Sequence, residues 1–371
     1  MLKLFLIAGE PSGDRLGAAL MAGLKELTEV EFHGIGGPAM EAEGLKSIFP
    51  MAELSIMGLV EVLPKYFHLK RRIAEAAAAA IAFAPAAMIT IDSPDFCLRV
   101  ATIVKAARPT QRTIHYVAPS VWAWRPHRAA KMAKVIDHVL ALLPFEPPYM
   151  TAAGMTCDFV GHPVVAEPLA TPNECRLMEG SEPLILALPG SRRGEVTRLA
   201  PVIGETLGQI AKVFPNLRVA LPTVPHVAPL VRELVADWPV KPMIIEDAAT
   251  KRAAFACANV AIAASGTVSL ELAANHLPMV IAYRMHPITY WLTNRALLID
   301  TVTLVNLVSD TRVVPEYIGE RCRSDLIAPA VIALLRDRTG QDKAMSLTMD
   351  RLGLGGEPPG RRAARSVLAH L

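Results

Sequence analysis

Leu184-Ile185-Leu186-Ala187-Leu188-Pro189-Gly190-Ser191-Arg192-Arg193-Gly194-Glu195 reads as strand, tight turn and helix. A five-residue apolar run stops at Pro189-Gly190, and helical periodicity resumes from Glu195. Glycine lets the backbone approach a ligand, the following helix offers unpaired N–H groups, and two arginines add positive charge, so an anion, best a phosphate, suits the turn. The spacing matches neither the P-loop nor the dinucleotide fingerprint, and any α/β strand can end in such a turn.

A second turn strengthens the functional reading. Segment 260–264 is again an apolar strand, followed by Ser265-Gly266-Thr267 and a helix over 268–275. On that helix Glu271 lies about one turn beyond Thr267, where a carboxylate can accept both hydroxyls of a ribose. Gly190, Ser191, Arg192, Ser265, Gly266, Thr267 and Glu271 together form a candidate nucleotide-sugar site.

Outward from these turns the chain repeats one alternation of strand and helix, which predicts parallel sheets. Strand 3–8 enters Gly9-Glu10-Pro11-Ser12-Gly13-Asp14 and a helix over 16–27. Strand 86–91 ends in Asp92-Ser93-Pro94-Asp95-Phe96 before another helix. Carboxylates at a strand's carboxyl end stand where open α/β sheets place ligands. Either aspartate can be a general base or a helix cap; Asp95 is better placed to cap, Asp92 for chemistry.

Strand 112–117 leads into a loop holding Trp122, Trp124, Arg125, His127 and Arg128. A sugar ring or acyl chain, packing between loops, or a phosphate on the basic groups would each suit it. Between residues 53 and 72, apolar Leu54, Ile56, Met57, Leu59, Val60, Val62 and Leu63 precede Lys65, Lys70, Arg71 and Arg72. That pattern fits an anionic membrane surface, but also a core helix followed by a solvated one, and the residues alone favour the second.

The 371 residues predict two domains. The boundaries fall at 1–165, 166–345 and a C-terminal helical segment, 346–371, that can pack back on the first domain. Two Rossmann-like halves facing one cleft give the GT-B form of an α/β fold. The chain is 52% hydrophobic with a mean hydropathy of +0.33, yet no apolar run reaches the roughly 18 residues of a spanning helix. The expectation is a protein neither exported nor membrane-spanning. Five cysteines without a close pair in sequence indicate neither zinc nor disulfides and fit a reducing cytoplasm. A net charge of +3 argues against a nucleic-acid partner.

In this order the motifs resemble those of the lipid-A-disaccharide synthase family, inverting GT-B glycosyltransferases of the Gram-negative envelope. They are Gly9-Glu10-Pro11-Ser12-Gly13-Asp14, Met57-Gly58-Leu59-Val60-Glu61-Val62-Leu63, Ile91-Asp92-Ser93-Pro94-Asp95-Phe96, the run from His115 to Arg125, Leu188-Pro189-Gly190-Ser191-Arg192, Ala264-Ser265-Gly266-Thr267 with Glu271, and Tyr283-Arg284-Met285. The resemblance implies transfer of 2,3-diacylglucosamine from its UDP donor to 2,3-diacylglucosamine 1-phosphate, giving a β-1,6-linked disaccharide phosphate and UDP. It implies no cofactor or metal, and work at the cytoplasmic face of the inner membrane. It makes Asp92 the base, Glu10 a neighbouring essential carboxylate, and Arg192, Glu271 and Asn306 residues of the UDP side.

The resemblance also turns Met57, Leu59, Val60 and Leu63 into an acyl-chain and membrane contact, reversing the reading from the residues alone; Trp122, Trp124 and Arg125 join them as acceptor contacts. One departure stands out: the family usually has proline before the asparagine, where this chain has Val305. A peptidoglycan glycosyltransferase or UDP-N-acetylglucosamine 2-epimerase would share fold and UDP site without the full motif set. A non-catalytic UDP-sugar sensor would not need Asp92.

Overall fold

The structure is a computed structural model. It describes residues 1–54, 59–285 and 295–371, with backbone only for 59–66. The Met57 contact and most of the apolar helix expected near 288–298 lie outside the described residues, as do the side chains of Leu59, Val60 and Leu63.

The chain divides into two compact units, 1–166 with 355–371, and 167–354. The first holds a six-stranded sheet in the order β2-β1-β3-β4-β5-β6. Its strands are β1 (Leu2–Ala8), β2 (Val30–Ile35), β3 (Ala87–Ile91), β4 (Arg112–Tyr116), β5 (His138–Ala141) and β6 (Thr156–Phe159). The second holds β12-β11-β10-β7-β8-β9: β7 (Leu184–Leu188), β8 (Arg218–Pro222), β9 (Met243–Ile245), β10 (Val260–Ala263), β11 (Met279–Tyr283) and β12 (Glu316–Ile318). All pairings are parallel. The central strands β3 and β7 are buried at every position, because helices cover both faces of a parallel sheet and continuous apolar runs are what such strands require. The expected α/β class is the one observed.

Both sheets run outward from a central strand, reverse, and continue on its other side. The reversal lies between β1 and β3 in the first sheet and between β7 and β10 in the second. At such a point the two following connections leave in opposite directions and open a crevice beyond the carboxyl ends of the strands.

The sequence reading set its last boundary at 345–346, but helix Thr339–Leu352 packs within the second unit. There Gln341 bonds both the N–H (2.8 Å) and the carbonyl (2.9 Å) of Met279, and Arg351 donates to the Val308 carbonyl at 2.7 Å. Only 355–371 returns to the first unit, as helix Pro359–Ala369 on helix Pro11–Leu27. A polar seam fastens it: Ser366 Oγ lies 2.8 Å from His138 Nε2 and donates to Asp158 Oδ2 at 2.6 Å, while His370 stacks on His138 at 3.7 Å.

Candidate functional site

In the first unit, register puts the two candidate carboxylates on neighbouring strand ends. Ala8 of β1 pairs with Ile91 of β3, so the chain leaves those strands through Gly9-Glu10 and Asp92-Ser93 side by side, at the reversal of strand order. Contact is tight: a Cβ on Gly9 would stand 2.4 Å from Ser93 Oγ, which only glycine avoids. Asp92 is half-buried, and its N–H donates to the Tyr116 carbonyl of β4 at 3.0 Å.

Backbone strain concentrates here. Of seven non-glycine residues with positive φ among those described, four lie on the exits of β3 and β4: Asp92 (51°), Ser93 (42°), Val117 (84°) and Arg125 (51°). A β-branched valine at such an angle, or two consecutive residues in the left-handed region, costs of order 1–3 kcal/mol per residue and persists where surroundings impose it, typically at functional sites. Asp95 is exposed in the first turn of helix Pro94–Ala107, whose N-cap is Ser93. It thus faces the positive end of the dipole without occupying the cap.

Asp14, in the glycine motif, has a structural task that sequence reasoning missed. Buried at 5% exposure, its carboxylate accepts the N–H groups of Gly37 (2.8 Å), Ala39 (3.0 Å) and Met40 (3.0 Å), capping the short helix Pro38–Ala42.

The aromatic loop resolves into two pieces. Trp122 packs edge-on against Phe145 (5.2 Å, 85°) and donates its indole N–H to Glu146 at 3.2 Å, so it is packed between neighbouring loops. Trp124 is half-buried and Arg125 exposed, the guanidinium lying 4.2 Å over the indole.

In the second unit, Leu188 of β7 pairs with Ala263 of β10. Gly190-Ser191-Arg192 and Ser265-Gly266-Thr267 therefore leave adjacent strands, again at the reversal. Gly190 has φ 110°, and a Cβ there would meet the Glu195 carboxylate at 2.6 Å. Arg192 is the N-cap of helix Arg193–Ala211, and its guanidinium bonds Glu195 at 3.0 Å with the side chain 67% exposed. An exposed pair of this kind contributes under about 1 kcal/mol, so an incoming anion can draw Arg192 away from it.

Two neighbours missed from sequence complete this rim. His226, after β8, donates from Nε2 to the Ser191 carbonyl (3.0 Å), and Lys251 meets Glu271 at 2.8 Å. For His226, a histidine in the loop after β8 was the available signal; Lys251 lies within helix Ala248–Cys257, where spacing gave none.

Asn306, expected among the residues of the UDP side, lines a cavity of about 240 Å³ with Arg312 and Tyr317. It is 1% exposed, and its amide donates to Val314 O (2.9 Å) and Thr301 Oγ1 (3.2 Å) while accepting from Val314 N (3.0 Å). It braces the 301–314 turn, whose start Glu316 also holds by accepting from Thr301, Val302 and Thr303. Val305, in place of proline, occupies the second position of helix Leu304–Ser309. An N–H there needs no intrahelical partner, so proline is dispensable. Arg284 after β11 lines a cavity of about 410 Å³ with Glu205, Cys322 and Ser324.

The cysteines are not all apart in space. The Cys257 thiol donates to the Cys175 carbonyl at 3.9 Å, and burial, followed by the nearby Cys175 side chain, pushes Cys257 up to about 11, far from a reactive thiolate. One group among the described residues, His138, Asp158 and His370, gathers three metal-type ligands. Its imidazole planes are stacked within 14°, so their in-plane lone pairs do not converge on one ion.

The family model described as lipid-A-disaccharide synthetase matches residues 4–366. The lipid-A-disaccharide synthase of Ruegeria pomeroyi is 62% identical over 385 aligned positions, covering 100% of this chain and 96% of its own. That of Rhodospirillum centenum is 48% identical, covering 99% and 94%. Among solved structures, the UDP-GlcNAc 2-epimerase from Neisseria meningitidis bound to UDP-GlcNAc has a TM-score of 0.64 at 13% identity, covering 100% of this chain and 99% of its own. Acinetobacter baumannii MurG has 0.61 at 12%, with the same coverage. These two likenesses are of fold, and the fold they share is GT-B. With a family model matched over residues 4–366 and relatives up to 62% identical covering the whole chain, the chain belongs to the lipid-A-disaccharide synthase family of glycosyltransferases.

Proposed function

We propose that the chain joins two acylated glucosamines, taking 2,3-diacylglucosamine from UDP and placing it on the 6-hydroxyl of 2,3-diacylglucosamine 1-phosphate. The observation carrying this reading is that each set of candidate residues leaves the strand pair on either side of a sheet reversal: Glu10 and Asp92 in one sheet, the two phosphate turns in the other.

On this reading Asp92 takes the acceptor's hydroxyl proton, the oxygen attacks the donor's anomeric carbon, and the bond to UDP breaks on the opposite side with inversion. Glu10, on the adjoining strand end, orients the acceptor. The diphosphate leaves toward the helix N-termini after Arg192 and Thr267 and toward the Arg192 guanidinium, which offset its growing charge. Glu271, held by Lys251, accepts the ribose hydroxyls.

Both substrates carry acyl chains. Among the described residues no helix is long and apolar enough to cross a membrane, which leaves the 54–72 segment as the candidate for surface contact. Phe67 is 82% exposed, with Lys70 and Arg71 exposed beside it, a pattern suited to the anionic cytoplasmic face of the inner membrane.

Incubating the protein with both diacylated sugars is the test. A β-1,6-linked disaccharide 1-phosphate and free UDP in equal amounts are expected. UDP-sugar binding without product would mean a sensor; conversion of UDP-N-acetylglucosamine to its 2-epimer would mean an epimerase.

A further inference from the structure

Glu146 is a buried carboxylate in an apolar run, Leu142-Leu143-Pro144-Phe145-Glu146, just past β5. It is 4% exposed and has no cation paired with it among the described residues. Its Oε2 accepts the Leu143 N–H at 3.0 Å and its Oε1 the Trp122 indole N–H at 3.2 Å. Burial raises its carboxyl to about 7, against the pull of those donors. On the elements packed around it the charged or titratable groups are otherwise engaged. Arg125 lies on the Trp124 ring, Asp158 of β6 accepts from Ser366, and the Cys157 thiol is pushed up to about 12, first by burial and then by Glu146.

Burying a carboxylate without a cation is unfavourable, and an apolar residue would pack at lower cost. Its two bonds indicate what the charge does. Trp122 rests on Phe145 and bonds Glu146, so the 142–146 turn holds the indole at two points. The indole lies in the loop leaving β4, whose Tyr116 carbonyl holds the Asp92 N–H. We propose that Glu146 is a positioning residue: its ionised carboxylate, through the Trp122 indole, sets the 118–125 loop beside Asp92 and thereby governs the grip on the acceptor. The proposal rests on reading that loop as an acceptor contact.

Two N–H donors face two carboxylate oxygens, so protonation turns an O–H against one of them and loosens the indole. Grip is therefore strongest above pH 7. Stability runs the other way. The folded value is raised above the unfolded 4.5, so Glu146's contribution is fully present below about 4.5 and is lost as pH rises through about 7. A side chain kept for packing alone would not carry this opposition.

The test compares the full-length parent with Glu146→Gln, a neutral near-isostere, between pH 6 and 8.5. At pH 8 the variant should show an acceptor KM raised roughly 10-fold or more, the value of one hydrogen bond to a charged group. Its donor KM should be unchanged and its Tm higher than the parent's, and the two proteins should converge by pH 6. Trp122→Phe, which keeps a smaller aromatic ring and removes the N–H, should reproduce the KM change. A parental acceptor KM in Glu146→Gln, or a lower Tm at pH 8 with kcat and both KM values degraded together, would overturn the proposal. Arg125→Ala separates the premise: a raised acceptor KM there beside a normal Glu146→Gln refutes Glu146 alone, whereas a normal one refutes the acceptor loop and the proposal with it.

Discussion

Replacing Gly9 with alanine tests the placement of Glu10 against Asp92. The added Cβ would lie 2.4 Å from Ser93 Oγ and 2.9 Å from Ser93 Cβ, distances no real side chain accepts, so one of the two strand exits must move. Overpacking of this kind costs about 1–3 kcal/mol, or roughly 2–12 °C in Tm for a unit of this size. A shift near 1 Å at reacting groups can cost on the order of 10²-fold in turnover. Ser93→Gly removes the obstructing side chain at a position with φ 42°, where glycine is unstrained, so alone it should be neutral or slightly stabilising. The double variant should then regain most of the lost stability and rate, a coupling of roughly 0.5–3 kcal/mol. Thermal unfolding and initial rates of all four proteins decide it. A Gly9→Ala protein that melts and turns over like the parent, or a double variant no better than the single, would show that these exits do not meet.

Arg192→Ala and Glu271→Ala should each weaken UDP binding, measured by calorimetry, and leave acceptor KM nearly intact; equal loss for both substrates would point to unfolding of the rim. Burial lowers His115, His138 and His162 to about 4, and all three lie in the first unit. Their stabilising contribution is present above pH 6.5 and lost as pH falls through about 4, roughly 3 kcal/mol for each fully buried ring, so acid should melt the first unit before the second. Calorimetry at pH 7 and pH 4.5 would reveal a fixed order instead if this is wrong. Anionic vesicles should retain the protein at low salt and release it partly at high salt. Replacing Met57, Leu59 and Val60 with serine should abolish retention; a variant that binds like the parent would move the contact to Trp124 and Arg125.

The sheets were readable because short, largely apolar runs such as 87–91 and 184–188, each followed by a helical pattern, read as buried parallel strands. The short edge strands β6 and β12 were not, since Thr156-Cys157-Asp158-Phe159 and Glu316-Tyr317-Ile318 carry polar residues and no long apolar run. Glycine turns and acidic strand ends announced Gly190, Asp92 and Glu10, because ligand approach at a strand's carboxyl end demands those residue types. Partnerships over long separations were silent. Asp14 capping helix Pro38–Ala42 and the seam of His138 with Ser366 depend on where the chain returns, which spacing does not encode. Glu146 left one trace, a single acid in an apolar run.

The account stands most directly on Asp92 as the base. In single-turnover reactions with saturating substrates, Asp92→Asn keeps a side chain that tolerates φ 51° and removes only the proton acceptor. The rate of disaccharide formation should fall by roughly 10²- to 10⁴-fold, with UDP affinity and Tm at parental values. A rate within a few-fold of the parent, with fold and UDP binding intact, would contradict it.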